Sequence, residues 1–105
     1  MNEEYNGWTN RETWATKLHI DNDQALYEIA LDYARQEIAG HDEGEEINSY
    51  HLGETFESWI TEDLLTLENI AGNQGLFSML TDIGSLYRVN WQEIAQAYID
   101  EVKEG

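Results

Sequence analysis

The chain contains no cysteine and no proline. The first absence excludes a disulfide framework and any thiolate metal site. The second leaves helices uninterrupted from within, and the eight glycines fall largely where helices would be expected to stop. Positive charge is also scarce: five Lys and Arg face 22 Asp and Glu, for a net charge of −17 on 105 residues. Binding phosphate requires Lys and Arg to displace counterions, so this scarcity argues against direct nucleic-acid contact, and an anionic membrane would repel the same surface. No apolar run approaches the roughly 20 residues that span a bilayer. Met1-Asn2-Glu3-Glu4-Tyr5 has neither the positive n-region nor the apolar h-region of a secretory signal. A soluble protein of the cytoplasm is the expectation.

Hydrophobic residues make up 41% of the chain, with four Trp, six Tyr and two Phe among its aromatic side chains. That is enough for a packed core and too much for a disordered acidic tail. The length fits a single domain covering residues 1–105. Charge, however, is unevenly spread. Between Arg35 and Arg88 there is no Lys or Arg, yet eleven carboxylates occur: Glu37, Asp42, Glu43, Glu45, Glu46, Glu54, Glu57, Glu62, Asp63, Glu68 and Asp82. A field of one sign costs self-repulsion that interspersed lysines would relieve, so something other than stability favours it.

Helix signals recur along the chain. Thr9-Asn10-Arg11-Glu12 fits a capping box opening a helix to about His19, with Trp14 and Leu18 one turn apart. Asp21-Asn22-Asp23-Gln24 starts a second helix, whose stripe of Leu26, Ile29, Ala30 and Tyr33 runs toward a stop at Gly40. After an acidic loop over 41–49, Leu52, Phe56, Trp59, Ile60, Leu67 and Ile70 share one face, and Glu54, Glu57, Glu62 and Glu68 lie away from it. Asp63 breaks this pattern, because a continuous helix aims it at the apolar side. Either it meets a cation or Thr61 caps a new helix; a break near Thr61 is expected.

Gly72-Asn73-Gln74-Gly75 reads as a turn, after which Leu76, Leu80, Ile83 and Tyr87 repeat at helical spacing, weakened by Gly84. In the last element Asn90 caps, Glu93 completes a box, and Trp91, Ile94, Ala95, Tyr98 and Val102 line one face. Strand-like alternation and internal repeats are lacking. The expected fold is all-α, a compact single-domain bundle of about five helices.

Specific chemistry finds little support. His19, His41 and His51 offer no pair at the i, i+4 spacing of a zinc helix. The His41-Asp42-Glu43-Gly44-Glu45-Glu46 loop could attract a divalent cation but lacks the ligand alternation of an EF-hand, and Asp21-x-Asp23 is followed by Ala25 and Leu26 where an oxygen ligand and a turn glycine belong. There is no G-x-S-x-G elbow and no glycine-rich phosphate loop. The chain is read as non-enzymatic, with no catalytic residue, metal ligand or cofactor.

Tyr5 to Trp14 gathers two Trp, an Asn-Gly turn and a capping box in ten residues. Trp8 and Trp14 either pack around the helix start, with Arg11 meeting a nearby carboxylate, or form an exposed aromatic recognition surface. Together with Leu18-His19-Ile20-Asp21-Asn22-Asp23 and Val89-Asn90-Trp91-Gln92-Glu93-Ile94-Ala95, this segment resembles a family of small, uncharacterised proteins encoded by phages and plasmids. The resemblance covers residues 6–23 and 89–95. It implies a mobile-element origin and a compact helical fold, not an activity.

Carboxylates three or four residues apart on a helix stand about 5–6 Å from one another, comparable with the charge spacing of a phosphate backbone. The expectation is an inhibitor, encoded by a phage or plasmid, that mimics nucleic acid and occupies a positively charged DNA- or RNA-binding surface of a host defence complex, such as a CRISPR or restriction effector. Its partner-binding face would be Glu43, Glu45, Glu46, Glu54, Glu57, Glu62 and Asp63; Trp8, Thr9, Glu12, Trp14, Asn90, Trp91 and Glu93 would build the fold. The alternative is a non-catalytic interaction module that regulates a host protein through aromatic anchors. A salt-adapted structural protein is a third reading, but Glu outnumbers Asp by fifteen to seven and large apolar side chains are plentiful, which argues against it.

Overall fold

The structure, a computed structural model, describes residues 4–42 and 45–104. Among them it is an all-α domain of six helices, with no strand beyond an isolated bridge between Tyr5 and Trp8. That bridge closes a tight turn in which Asn6 and Gly7 both have positive φ, at 48° and 88°, the conformation for which Asn-Gly is favoured.

Helix α1 (Arg11–Asn22) starts one residue later than the expected box. Asn10, not Thr9, is the cap: its Oδ1 accepts from the Thr13 backbone N–H at 2.9 Å and from the Thr13 hydroxyl at 2.7 Å. Thr9 and Glu12 do not reciprocate. The Thr9 N–H donates to Glu93 Oε1 at 3.0 Å, and Glu12 lies 3.7 Å from Arg88 Nε. The helix also runs past His19, stopping only at Asp23, whose side chain accepts from the Leu26 N–H and so starts α2 (Gln24–Ala39). Gly40 ends α2 as expected.

Asn48 caps α3 (Ser49–Ser58), which passes without a break into a π-helical turn over Trp59–Leu64. Here the Leu65 N–H donates to the Ile60 carbonyl, five residues back, at 2.9 Å. Thr61 caps nothing, since its hydroxyl donates back to the Glu57 carbonyl. The break falls instead at Leu65, where φ −93° and ψ 53° leave the helix, and Thr66 caps the short α4 (Leu67–Ala71). Leu67 therefore does not share the face of Leu52 and Phe56; it is 88% exposed.

Asn73 caps α5 (Gln74–Ile83), and Gly84 ends it at φ 84°, a left-handed conformation that glycine adopts without the steric cost other residues incur. Tyr87 consequently leaves the α5 stripe for a 3₁₀ turn, Leu86–Arg88, and is exposed. Asn90 Oδ1 accepts from the Glu93 N–H at 3.1 Å and opens α6 (Trp91–Glu104).

Helix α6 packs on α3 and α2, while α1 lies between α2 and α5. Ile20, Ala30, Ala34, Leu52, Phe56, Ile60, Ile94, Ala95, Tyr98 and Ile99 form the buried centre. Tyr98 is fully buried, stacked edge-on to Phe56 at 5.6 Å, yet its hydroxyl reaches Asp21 Oδ1 at 2.6 Å. Lys17 Nζ lies 4.4 Å from the Tyr98 ring centre and 2.5 Å from Asp21. Burial and the Asp21 carboxylate push the Tyr98 hydroxyl far above its ordinary pKa, so it stays a donor.

The α3–α6 approach depends on Gly53. A Cβ there would meet Gln92 N at 3.0 Å and the Trp91 carbonyl carbon at 3.1 Å, both backbone atoms that cannot swing away. Gly53→Ala should lower stability by roughly 1–3 kcal/mol despite the better helix propensity of alanine; chemical denaturation measures it. Asn10→Ala removes a cap and strands buried partners, and should cost about 2 kcal/mol in the same assay.

Candidate functional site

Helix α3 buries Leu52 and Phe56, and Trp59 and Ile60 continue this apolar face into the π-turn. The opposite side carries Glu54 and Glu57, three residues apart and neither of them buried. In an unbroken α-helix Asp63 would fall under Trp59 and Ile60. The π-turn re-aims the chain so that Glu62 and Asp63 are both exposed, and Asp63 needs no cation to be accommodated. Four carboxylates thus follow one helical run over about 13 Å of axis.

Among the described residues, no Lys, Arg or His is ion-paired with Glu46, Glu54, Glu57, Glu62, Asp63 or Glu68; Arg11, Lys17, Arg35 and Arg88 are engaged with other carboxylates. Arg11 holds Asp82 at 3.0 Å, Lys17 holds Asp21, Arg35 holds Asp32 at 2.9 Å, and Arg88 approaches Glu12. Asp82 also accepts from His19 at 2.9 Å; that hydrogen bond, with the Arg11 charge, keeps its carboxyl below the ordinary range against the opposing effect of burial.

The loop residues of the expected face are placed apart from this run. Glu45 and Glu46 are exposed ahead of α3, beside a hollow of about 390 Å³ bordered by His41, Tyr50 and Gln92. Glu45 Oε1 accepts from the Asp42 N–H and lies 3.3 Å from His41 Nδ1. Glu43 lies outside the described residues. Of the seven residues expected to form the face, four share one helical run and two stand at its entrance.

Sequence reasoning missed Glu37, which joins the loop to the face. Its side chain is only 10% exposed and is held by two imidazoles: His51 Nδ1 at 2.5 Å and His41 Nε2 at 3.0 Å. Burial pushes the Glu37 carboxyl up, but hydrogen bonds from His51 and His41 and their charges outweigh it, leaving the pKa lowered. Both imidazoles are shifted upward, each chiefly by its hydrogen bond to Glu37, helped by Glu45 at His41 and by Glu54 at His51. The i, i+4 spacing of Glu37 and His41 was the available signal; His51 comes from a separate helix and has none. The clasp borders a hollow of about 450 Å³, and a second of about 420 Å³ lies along α3, lined by Tyr33, His51, Glu54, Trp59 and Asp63.

The aromatic residues of the termini are largely inside. Trp8 and Trp14 are half-buried against the core, and Trp14 stacks on Tyr5 with ring centres 4.9 Å apart. Trp91 is buried, its indole N–H without a partner among the described residues. Among those residues no group of three or more His, Asp or Glu is arranged to hold a metal ion, and no helix is long and apolar enough to cross a membrane.

The model of a protein family of unknown function, DUF7249, matches residues 1–104. The chain belongs to that family. No curated protein and no solved structure matches it.

The clasp gives this DUF7249 member a defined pH response. The raised histidine pKa values make their contribution complete below the ordinary value of 6.5 and progressively lost as pH rises through the shifted values. The lowered Glu37 value makes its own contribution present above 4.5 and lost as pH falls further. Replacing both histidines, His41→Gln with His51→Gln, should lower the melting temperature more at about pH 6 than at about pH 8.5. Equal losses at the two pH values would exclude a charged clasp.

Proposed function

We propose that this protein is a non-catalytic acidic inhibitor that mimics nucleic acid, occupying a positively charged DNA- or RNA-binding surface of another protein in the cytoplasm. The observation that carries the reading is the set Glu54, Glu57, Glu62 and Asp63, exposed on one helical run and without an ion pair among the described residues. Along that run a charge recurs on average about every 4–5 Å, comparable with the roughly 3.4 Å per phosphate of one DNA strand. A channel built to neutralise phosphates would be steered toward such a face and would release its screening anions on contact, without any base being read. The backbone ladder of α3, opened by its Asn48 cap, fixes where the first of these carboxylates stand, so little order beyond side-chain rotamers is lost on docking.

The finer reading joins this surface to the resemblance carried by residues 6–23 and 89–95. A phage or plasmid origin would make a host defence complex, a CRISPR or restriction effector, the natural target. The alternative, regulation of a host protein through aromatic anchors, does not draw on Trp8 and Trp14, which are half-buried; exposed Tyr50, Phe77 and Tyr87 would have to serve.

Charge reversal separates the two readings. Glu54→Lys, Glu57→Lys and Glu62→Lys together should weaken target binding by roughly a hundredfold while helicity and melting change little. Raising salt from about 50 to about 200 mM should weaken the wild-type complex at least about tenfold. A complex that ignores both changes is not held by mimicry.

A further inference from the structure

One stretch of this acidic chain carries no charge at all: the thirteen residues from Asn69 to Thr81 include no Asp, Glu, Lys, Arg or His. It forms most of α4 and α5. Helix α5 turns Met79 and Ile83 inward and packs on α1, and α4 packs on α5. The outer side of the pair remains apolar. Leu67 is 88% and Phe77 56% exposed, and with half-buried Ile70 they border a hollow of about 530 Å³. Phe77 also lines the next hollow, of about 470 Å³, against Arg11 and Asp82. Single exposed apolar residues are commonplace, but a Phe and a Leu flanking one concavity have the form of an anchor site.

The hollow is tied to the acidic run. Asn69 Nδ2 donates to the carbonyls of Asp63 and Leu64 at 2.8 and 3.1 Å, which fixes α4 against the π-turn. Glu68, next to Leu67 in the chain, is exposed, as are Glu62 and Asp63 of the π-turn that Asn69 holds, and among the described residues none of the three is in an ion pair. On the other side Asp82 is already held by Arg11 and His19.

Charge selects the occupant. A second copy docked through this hollow would bring its own Glu68 and a further net charge of −17 to the contact, with no cation in the uncharged stretch to meet them. An anionic membrane is repelled for the same reason. We propose that the hollow between Leu67 and Phe77 receives an apolar side chain of a protein partner whose surrounding surface is basic, with Lys or Arg meeting Glu68, beside Leu67 in the chain, and the exposed carboxylates of the π-turn to which α4 is tied. This rests on the reading of the α3 face as a surface for a basic partner, and adds what exposed charge alone does not supply. Steering sets how fast the partners meet; a desolvated apolar anchor sets how long they stay.

The test uses two synthetic helical peptides of equal charge, one with a leucine stripe flanked by lysines and one with glutamine in place of every leucine. At about 0.5 M salt, where exposed charges are strongly screened, the full-length protein should bind the leucine peptide at least about tenfold more tightly than the glutamine peptide. Leu67→Ser with Phe77→Ser should abolish that difference, and because both side chains are exposed the melting temperature should hold, which circular dichroism checks. Unchanged preference in the double variant overturns the anchor. A wild-type dimer that the double variant converts to monomer, read by light scattering, also overturns it, by making a second copy the occupant. At low salt the three lysine substitutions in α3 and the π-turn separate the two ideas. Loss through them, with none through the serines, removes the anchor and leaves the acidic-face reading standing. Loss through the serines alone removes the basic rim.

Discussion

The Thr13 hydroxyl joins two helix starts that are far apart in the chain. It donates to Asn10 Oδ1, the cap of α1, and accepts from the backbone N–H of Asn90, the cap of α6. Asn10 Nδ2 in turn donates to the Arg88 carbonyl, and Glu93 accepts from the Thr9 N–H. Groups that one helix end leaves unsatisfied are thus met by the other end, in a region where Asn10 and Thr13 are buried and an orphaned donor would be costly. The core depends on this crossing: it sets where α6 begins, and α6 is the helix on which α3 and α2 pack.

The distribution of charge reflects the same scarcity of partners. Lys17 is drawn inward to Asp21 and the Tyr98 ring, and Arg11 and His19 gather on Asp82. With so few cations, each one used to pin a helix is unavailable to neutralise the outer side of α3. The outer side of α3 and the π-turn is therefore left without an ion pair among the described residues, and the clasp of Glu37 by His41 and His51 is the local relief nearest to it.

Much of this was legible from residues alone. Asp21-Asn22-Asp23-Gln24 and Asn90 announced helix starts, Gly40 announced a stop, and the stripe of Trp91, Ile94, Ala95 and Tyr98 announced the buried side of α6; Asn73 reads as part of a turn, and Gly84 as a weak point of a helix reaching Tyr87, where the structure has a cap and a stop. The shifted cap at Asn10 was not, because Thr9 and Glu12 satisfy the spacing of a box equally well, and only the cross-chain demand of Glu93 on the Thr9 N–H decides between them. Leu67 and Tyr87 were placed on apolar stripes by period; both lie beyond a local exit from the helix that a periodic count cannot register. For the acidic residues, exposure of Glu54, Glu57 and Glu62 was readable from their spacing, whereas the outward turn of Asp63 required the π-turn. The pairing of Glu37 with His51 is a tertiary contact with no local mark.

The π-turn has a consequence for how the chain can vary. Because it accommodates an extra residue relative to the α ladder, it acts as a phase shifter between α3 and the helices C-terminal to it. Deleting one position ahead of Asp63 within Trp59–Leu64 would restore an ordinary ladder at little local cost, yet would rotate the residues that follow it, turning Asp63 toward the interior. Length in this segment is accordingly a tighter constraint than residue identity at its exposed positions: substitutions there can be absorbed, and a single indel cannot.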